Sequence, residues 1–523
     1  MTAFSRGKVA DLLAACTPIP LPEAGEDSKI TVHAAVSRVS VLYEKLRTAI
    51  DYKDDHLLRK AAVKRILKRR MTLESDARVI AGHLVRELIA ARYLPNATLP
   101  ESLIDEVALI VRKLTSLRQV RAKIAPSPEW LLGIVAAELE ELLSDRGQAK
   151  AIVHFLFEQL GDRITVSEGS LQETERRLQV YIACHRLLYK ADDEMLGYRL
   201  IRLYSSAWMR PQEWIAEPRE MTSQMAEVET RIRLQLLHPL AQKFLMAVKP
   251  WAVALNVLRE TLEEKPELKQ KLSESSEELK AAVIKIAERR YQASKSRLRR
   301  GTWRSIIYLF LTKMVLALAL EIPFERYLYQ ELHYGALTVN ILFPPLLMWI
   351  VGLFIRVPGK DNTRRIGAAV EELLSVDGPK GREIRITSAR RGLGGLLFSF
   401  SYVAMFLITF GLILLALQAL HFTWVSAIIF VFFLCVVSFF AYRLRLGARE
   451  YVVMKEKESF RMVVVDFFTL PILRAGQYLS MTVSRLNIFI FLFDFIIEAP
   501  FKTFLNVLEE WFSYLKEKKE ELQ

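Results

Sequence analysis

Apolar positions follow two regimes along the chain. Up to about residue 300 they recur at three-and-four spacing between charged positions, and beyond it they merge into long uncharged runs. The first regime is the signature of amphipathic helices, because residues three and four apart share one face of a 3.6-residue turn. Residues 30–50, 56–92, 101–122, 170–206 and 219–262 each carry such a face, with short polar or proline-containing breaks between them. Ser127-Pro128-Glu129 is a helix start, a capping hydroxyl followed by proline at the first helical position. From there Trp130, Leu131, Ile134, Val135, Leu139, Leu142 and Leu143 continue one apolar face. Few β-branched alternating runs compete. Residues 29–300 are therefore expected to be an all-α bundle, long enough to bury a core of its own. A further helix over 274–299 leads into the first apolar run with only Gly301 as a weak point. It could pass a tilt of the bundle toward Lys313, or serve as a rigid tether.

Crossing a hydrocarbon core of about 30 Å takes roughly 20 apolar residues in a helix. Ser305–Ile322 is apolar apart from Lys313 and Glu321, Ala336–Ile355 has no charge, and Gly392–Tyr442 has no Asp, Glu, Lys or Arg. The last is long enough for two helices, with Gln418, His421 and Phe422 at the turn. Four spans in two hairpins are predicted, 301–357 and 392–443, joined by a loop over 358–391.

Charge then sets the orientation. The net charge of +14 has no single basic domain behind it, which argues against a nucleic-acid binder. The basic residues gather instead at one end of every span. Lys295, Arg297, Arg299, Arg300 and Arg304 precede the first, Arg364, Arg365, Lys380, Arg382, Arg390 and Arg391 lie in the 358–391 loop, and Arg443, Arg445 and Arg449 follow the fourth. The opposite turns hold only Arg326, among belt aromatics such as Tyr327, Tyr329 and Trp424. Excess Lys and Arg marks the cytoplasmic side, so a multi-pass protein of the cytoplasmic (inner) membrane with both termini inside is expected.

The candidate chemistry is sparse. Cys16, Cys184 and Cys435 are far apart and form no CxxC, so a reducing compartment without disulfides is expected. Leu13-Ala14-Ala15-Cys16 imitates a lipoprotein cleavage box, but the apolar stretch before it is short and holds Asp11. Residues 1–28 are expected to be a flexible tail. The eight histidines form no HExxH, and the Pro358-Gly359-Lys360 and Gly378-Pro379-Lys380-Gly381 runs lack the spacing of a phosphate loop. No enzyme, cofactor or metal is expected.

Two groups of residues remain as candidate sites. Lys313 falls near the middle of its span, where an ammonium costs about 2.5–3.5 kcal/mol and needs a partner. Pro344 and Pro345 lie at similar depth in the next span and free the carbonyls of Asn340 and Ile341, with the Asn340 side chain beside them. Asp466, Asp494 and Glu498 are the other candidate partners. The second group is Arg59, Lys60, Lys64, Arg65, Lys68, Arg69 and Arg70, seven cations with no acid among them over Leu57–Met71. Such a helix suits anionic lipid headgroups, or it presents a solvated face of the bundle.

Residues 444–523 read as membrane-associated helices. Met462–Leu473 and Asn487–Phe501 are apolar segments broken by Asp466 and Pro471, and by Asp494, Glu498 and Pro500. Paired, proline-interrupted segments of this kind point to transport sites, and interfacial helices are the plainer alternative. The closing stretch, with Phe504, Leu508, Trp511 and Leu515 on one face, suits the inner leaflet or an oligomer interface. Two functions follow as expectations. One is a channel or transporter-like protein regulated by its cytoplasmic helical domain, with Lys313 and the Pro344-Pro345 break at the pathway. The other is a membrane-anchored scaffold whose spans only tether the soluble domain. The expected partners are the lipid bilayer and its anionic lipids, further copies in a homo-oligomer, and a cytoplasmic protein.

Overall fold

A computed structural model describes residues 5–16, 29–33, 54–120, 124–144, 147–167, 171–271, 276–328, 334–353, 359–385, 393–448 and 460–485, with a few isolated positions besides. Most of these residues are helical. In chain order the elements are α1 (Arg6–Ala15), α2 (Asp55–Leu73), α3 (Ala77–Ala90), α4 (Ser102–Gln119), α5 (Pro128–Leu142), α6 (Gly147–Leu160), β1 (Ile164–Val166), α7 (Glu173–Leu188), α8 (Asp193–Tyr204), α9 (Arg219–Leu236) and α10 (Ala241–Glu264). There follow α11 (Ser276–Leu316), a π turn (Ala317–Glu321), α12 (Ile322–Leu328), α13 (Tyr334–Leu353), α14 (Lys360–Leu374), β2 (Arg382–Ile384), α15 (Leu393–Ala419), α16 (Trp424–Ala448) and α17 (Phe460–Arg485). They fall into two compact units. One holds Met1–Ser276 with Glu371–Arg385 and Phe493–Gln523, and the other holds Glu277–Val370 with Ile386–Leu492.

The first unit is a helical bundle in which α2 packs on α5, α3 on α4, α5 on α8 and α7 on α10. Its core takes one face each from α2 to α5, α8 and α9, among them Leu84 and Leu88 of α3, Val111 and Leu114 of α4, and Ile134 and Val135 of α5. Two stretches that read as single long helices are broken by capping aspartates. The Asp76 carboxylate accepts from the Arg78 amide (2.7 Å) and opens α3, and Asp192 accepts from Met195 N (3.0 Å) and opens α8. Each cap satisfies an otherwise orphaned N–H and is worth about 1 kcal/mol, enough to restart a helix where apolar spacing alone shows no boundary.

Two readings of the sequence change here. Residues 6–15, expected within a flexible tail, form α1, which packs on α6 with Val9, Leu12 and Ala15 buried. The apolar stretch too short for a signal sequence is long enough for three helical turns against a bundle. The loop over 358–391 is also not a plain connection, because 371–385 is built into the first unit. Leu374 O accepts from Ser5 N (2.9 Å), Ser375 O from Lys8 Nζ (2.8 Å), and the Pro379 carbonyl from Arg163 Nη1 (2.7 Å). Next to these contacts β1 and β2 pair in parallel, Ile164 opposite Arg382 and Val166 opposite Ile384. Gly378, at φ +71°, turns the chain where a Cβ would come within 2.9 Å of Lys8 Nζ.

The second unit begins with α11, forty-one residues that run through Gly301 without interruption. Its first half buries Val283, Ile286 and Tyr291, and Asn362 Nδ2 of α14 donates to the Tyr291 hydroxyl (2.7 Å). Farther on, Ile306 and Leu309 meet Met348 of α13 and Phe433, Val437 and Ala441 of α16. Among the described residues, three helices are long and apolar enough to cross a membrane: Glu277–Tyr327, Ser399–Ala419 and Trp424–Arg443. Tyr334–Ile350 is apolar but shorter. The turn before α16 carries His421 at φ 56°. Met462–Leu473, read as a short broken segment, is part of the 26-residue α17, which continues through Pro471 and packs along α16. Contact there is close enough that a Cβ at Gly476 would fall 2.0 Å from the Cys435 carbonyl oxygen. Packing of this extent offsets the hydrogen bond that an interior proline removes.

Candidate functional site

Lys313, Glu321 and Asn340 are all fully buried, at 0% exposure each, and they close on one another. Lys313 Nζ donates to Glu321 Oε1 (3.0 Å) and to Asn340 Oδ1 (2.8 Å), while Asn340 Nδ2 donates to Glu321 Oε2 (2.7 Å). Phe433 lies 4.5 Å from the ammonium, so a ring face covers the charge where no oxygen does. Burial of an ion pair is favourable only when the remaining lone pairs and protons find partners, and the asparagine amide supplies them from both ends.

The π turn over Ala317–Glu321 makes this pairing possible within one continuous helix. Residues eight apart in a regular α-helix are about 80° out of phase, and a π insertion absorbs one residue, which brings them to within about 20°. Glu321 thus faces the same way as Lys313. One turn on, Glu325 is buried as well, and its Oε1 accepts from Ser426 Oγ (3.0 Å) and Thr423 Oγ1 (3.4 Å). These hydroxyls stand at the start of α16, where exposed amide dipoles favour negative charge. The arrangement can hold a fixed ammonium and two carboxylates away from water, joined by hydrogen bonds across three helices.

Among the residues singled out from the sequence, Lys313 and Asn340 are brought together. The ammonium meets the amide oxygen of the Asn340 side chain, not the main-chain carbonyls of Asn340 and Ile341. Pro344 and Pro345 are buried one turn further along α13, which continues past both. Asp494 and Glu498 lie outside the described residues, as does the side chain of Asp466. The partner missed in the sequence is Glu321, which reads as the end of a span and out of phase with Lys313. Glu325, Thr423 and Ser426 carried no signal beyond their residue types.

Six of the seven cations of α2 are engaged inside the bundle. Arg59 pairs with Glu140 (2.8 Å), Lys60 with Asp192 and Glu194, Lys64 with Glu194 (2.6 Å) and Glu129 (2.8 Å), and Arg65 with Glu44. Arg69 and Arg70 share Glu87, and Arg70 also reaches Glu74 (3.1 Å). The Lys64 ammonium in turn holds the Glu129 carboxyl below its ordinary range. Lys68 is the exposed member, 3.8 Å from Glu129. The acids come from helices distant in sequence, so a run that reads as uncompensated is neutralised by the fold. Neither a headgroup-binding face nor a solvated one describes it; six of the seven cations cross-link the bundle.

The chain matches no protein family, no curated protein and no solved structure.

Proposed function

We propose that this protein is a multi-pass membrane protein whose apolar helices anchor and orient a helical cytoplasmic domain, acting as a membrane-bound interaction or ligand-sensing scaffold and not as a conduit. The observation that carries this reading is the closed network of Lys313, Glu321 and Asn340, in which each group bonds the other two, Asn340 Nδ2 also reaches Ser426 O (3.5 Å) and Phe433 covers the ammonium. A permeation or relay site keeps a donor or acceptor for its cargo, whereas this one spends them on holding three helix positions in register.

Two further features support membrane residence. Large apolar side chains stand outward along the candidate spans, including Leu311 and Val315 of α11, Leu346 and Trp349 of α13, and Phe400 and Leu407 of α15. Water would penalise such a surface and lipid would not. The 371–385 segment shares a unit with the N-terminal bundle, and the distribution of Lys and Arg supports a cytoplasmic location for both.

The test has two arms. Purified protein in liposomes is expected to pass no more K⁺ or H⁺ than protein-free vesicles. A flux that disappears with Lys313→Met would overturn the scaffold reading. In intact cells, Val376→Cys should resist an impermeant maleimide added outside and Leu420→Cys should react, against a low background because Cys16, Cys184 and Cys435 are buried. Outside labelling of Val376→Cys would overturn the orientation.

A second reading, regulated transport, is favoured by one observation: the π turn turns Glu321 to the side of Lys313, and π insertions recur at functional sites. The flux arm decides between the two.

A further inference from the structure

Within the first unit, α6, α7 and α8 surround a cavity of about 1040 Å³. Its size is at the upper end of the range that holds drug-sized ligands. One wall is aromatic: Phe157 and Tyr181 meet edge to face at 5.5 Å, and Tyr181 meets the His185 ring at 4.5 Å. Opposite stand Arg199 and Arg202, which share a single carboxylate, Glu141, at 2.7 Å and 3.4 Å. Lys150 reaches the same carboxylate, so one buried negative charge anchors three cations, and with Arg177 the cations outnumber the one acid, Glu175, that lines the cavity. At the mouth, the Arg177 guanidinium lies over Phe157 at 5.4 Å, and its ion pair with Asp162 is exposed to solvent and screened.

A second, independent observation comes from His185. The residue is 3% exposed and lines the cavity, yet its buried Nδ1 has no hydrogen-bond partner. Buried polar atoms are nearly always paired, and an unpaired one next to a cavity calls for a partner that occupies it. Burial, and after it the nearby Arg199, hold the imidazole far below its ordinary pKa, at about 3, so the ring is neutral at physiological pH and offers hydrogen bonding without charge.

We infer that this cavity is a binding site for a small organic anion with a flat ring, a phosphate monoester or a carboxylic acid, whose ring lies against Tyr181 and His185 while its acidic group meets Arg199, Arg202 and Arg177. Guanidinium groups present forked donors that match phosphate and carboxylate oxygens, and aromatic edges and faces accept a planar ring. The site does not depend on the membrane reading, since every residue in it belongs to the soluble bundle. It supplies what a ligand-sensing scaffold needs.

The test is calorimetric titration of the full chain in mild detergent with four probes: 1-naphthyl phosphate, adenosine 5′-monophosphate, inorganic phosphate and 1-naphthol. The expected result is saturable one-to-one binding of at least one ring phosphate, with inorganic phosphate and 1-naphthol each at least tenfold weaker. Arg202→Gln combined with Arg177→Gln should weaken that binding tenfold or more without shifting thermal unfolding. His185→Phe, which keeps the ring and removes both nitrogens, should weaken binding several-fold while leaving unfolding unchanged or raised. Absence of saturable binding by both ring phosphates would overturn the proposal. So would equal affinity for inorganic phosphate, or binding that survives all three substitutions.

Discussion

Glu321 follows Lys313 by eight residues on one continuous helix, yet its carboxylate sits 3.0 Å from the lysine ammonium. The pairing depends on the π turn between them, and Asn340 locks it from the neighbouring helix. Lys313→Met keeps the stem and removes the charge, stranding Glu321 in a dry site. It is expected to destabilise the protein in mild detergent by roughly 1–4 kcal/mol, between the worth of intramembrane hydrogen bonds and that of broken buried ion pairs. The double variant Lys313→Met, Glu321→Gln should recover at least half of the loss, because a neutral amide no longer demands a counter-ion. Thermal unfolding of the three proteins in parallel measures this, and an unperturbed single variant would show that the network contributes nothing to folding.

The close approach of α17 to α16 gives a steric prediction. Gly476→Val puts atoms where the Cys435 carbonyl already is, so the two helices must part, at a cost of about 1–3 kcal/mol or more. Gly411→Val is the control, since nothing lies within 4 Å of that position. Equal unfolding temperatures for the two variants would show that the packing of α17 is not needed.

In the bundle, Glu87→Ala removes a buried partner shared by Arg69 and Arg70 and should cost about 3–5 kcal/mol, the usual loss when one side of a buried pair is deleted. Lys68→Ala, at the exposed end of the same cationic run, should stay within about 0.5 kcal/mol. Denaturant unfolding of the two variants separates cross-links from surface charge, and similar losses would remove that distinction.

His185 predicts a pH dependence of stability. Its folded pKa lies near 3, below the roughly 6.5 of an unfolded chain. Acidification from about pH 6.5 therefore protonates the unfolded state first and draws the equilibrium toward it. Stability should fall with decreasing pH across that window, by up to about 1.4 kcal/mol per unit from this group alone. His185→Phe should flatten the slope between pH 6.5 and 4 by about one proton. Parallel slopes for the two proteins would place the histidine in a wetter site than its burial implies.

Much of this architecture was legible in the sequence because it depends on local periodicity. The apolar faces of α4, α5 and α9 and the uncharged stretch from α15 to α16 are read within a few turns of chain. What escaped depends on contacts far apart. Asp76 and Asp192 look like any surface aspartate until their carboxylates are seen to cap helices. The cations of α2 looked uncompensated because Glu87, Glu140 and Glu194 come from other helices. Lys313 and Asn340 stood out as polar groups in apolar runs, whereas Glu321 was hidden by a phase that holds for a regular helix and fails across a π turn. The cavity beside His185 left no motif, since its cations come from three helices.

The parallel pairing of β1 with β2 joins segments whose neighbouring residues, Arg163 and Pro379, are 216 positions apart. A chain made from its N terminus completes almost all of the bundle long before β2 exists, and the first apolar hairpin must be synthesised in between. Until then Ile164, fully enclosed in the finished protein, lacks its strand partner, and Lys8 and Arg163 lack their acceptors. The first unit is thereby completed only after the apolar stretch that separates its two parts has been made.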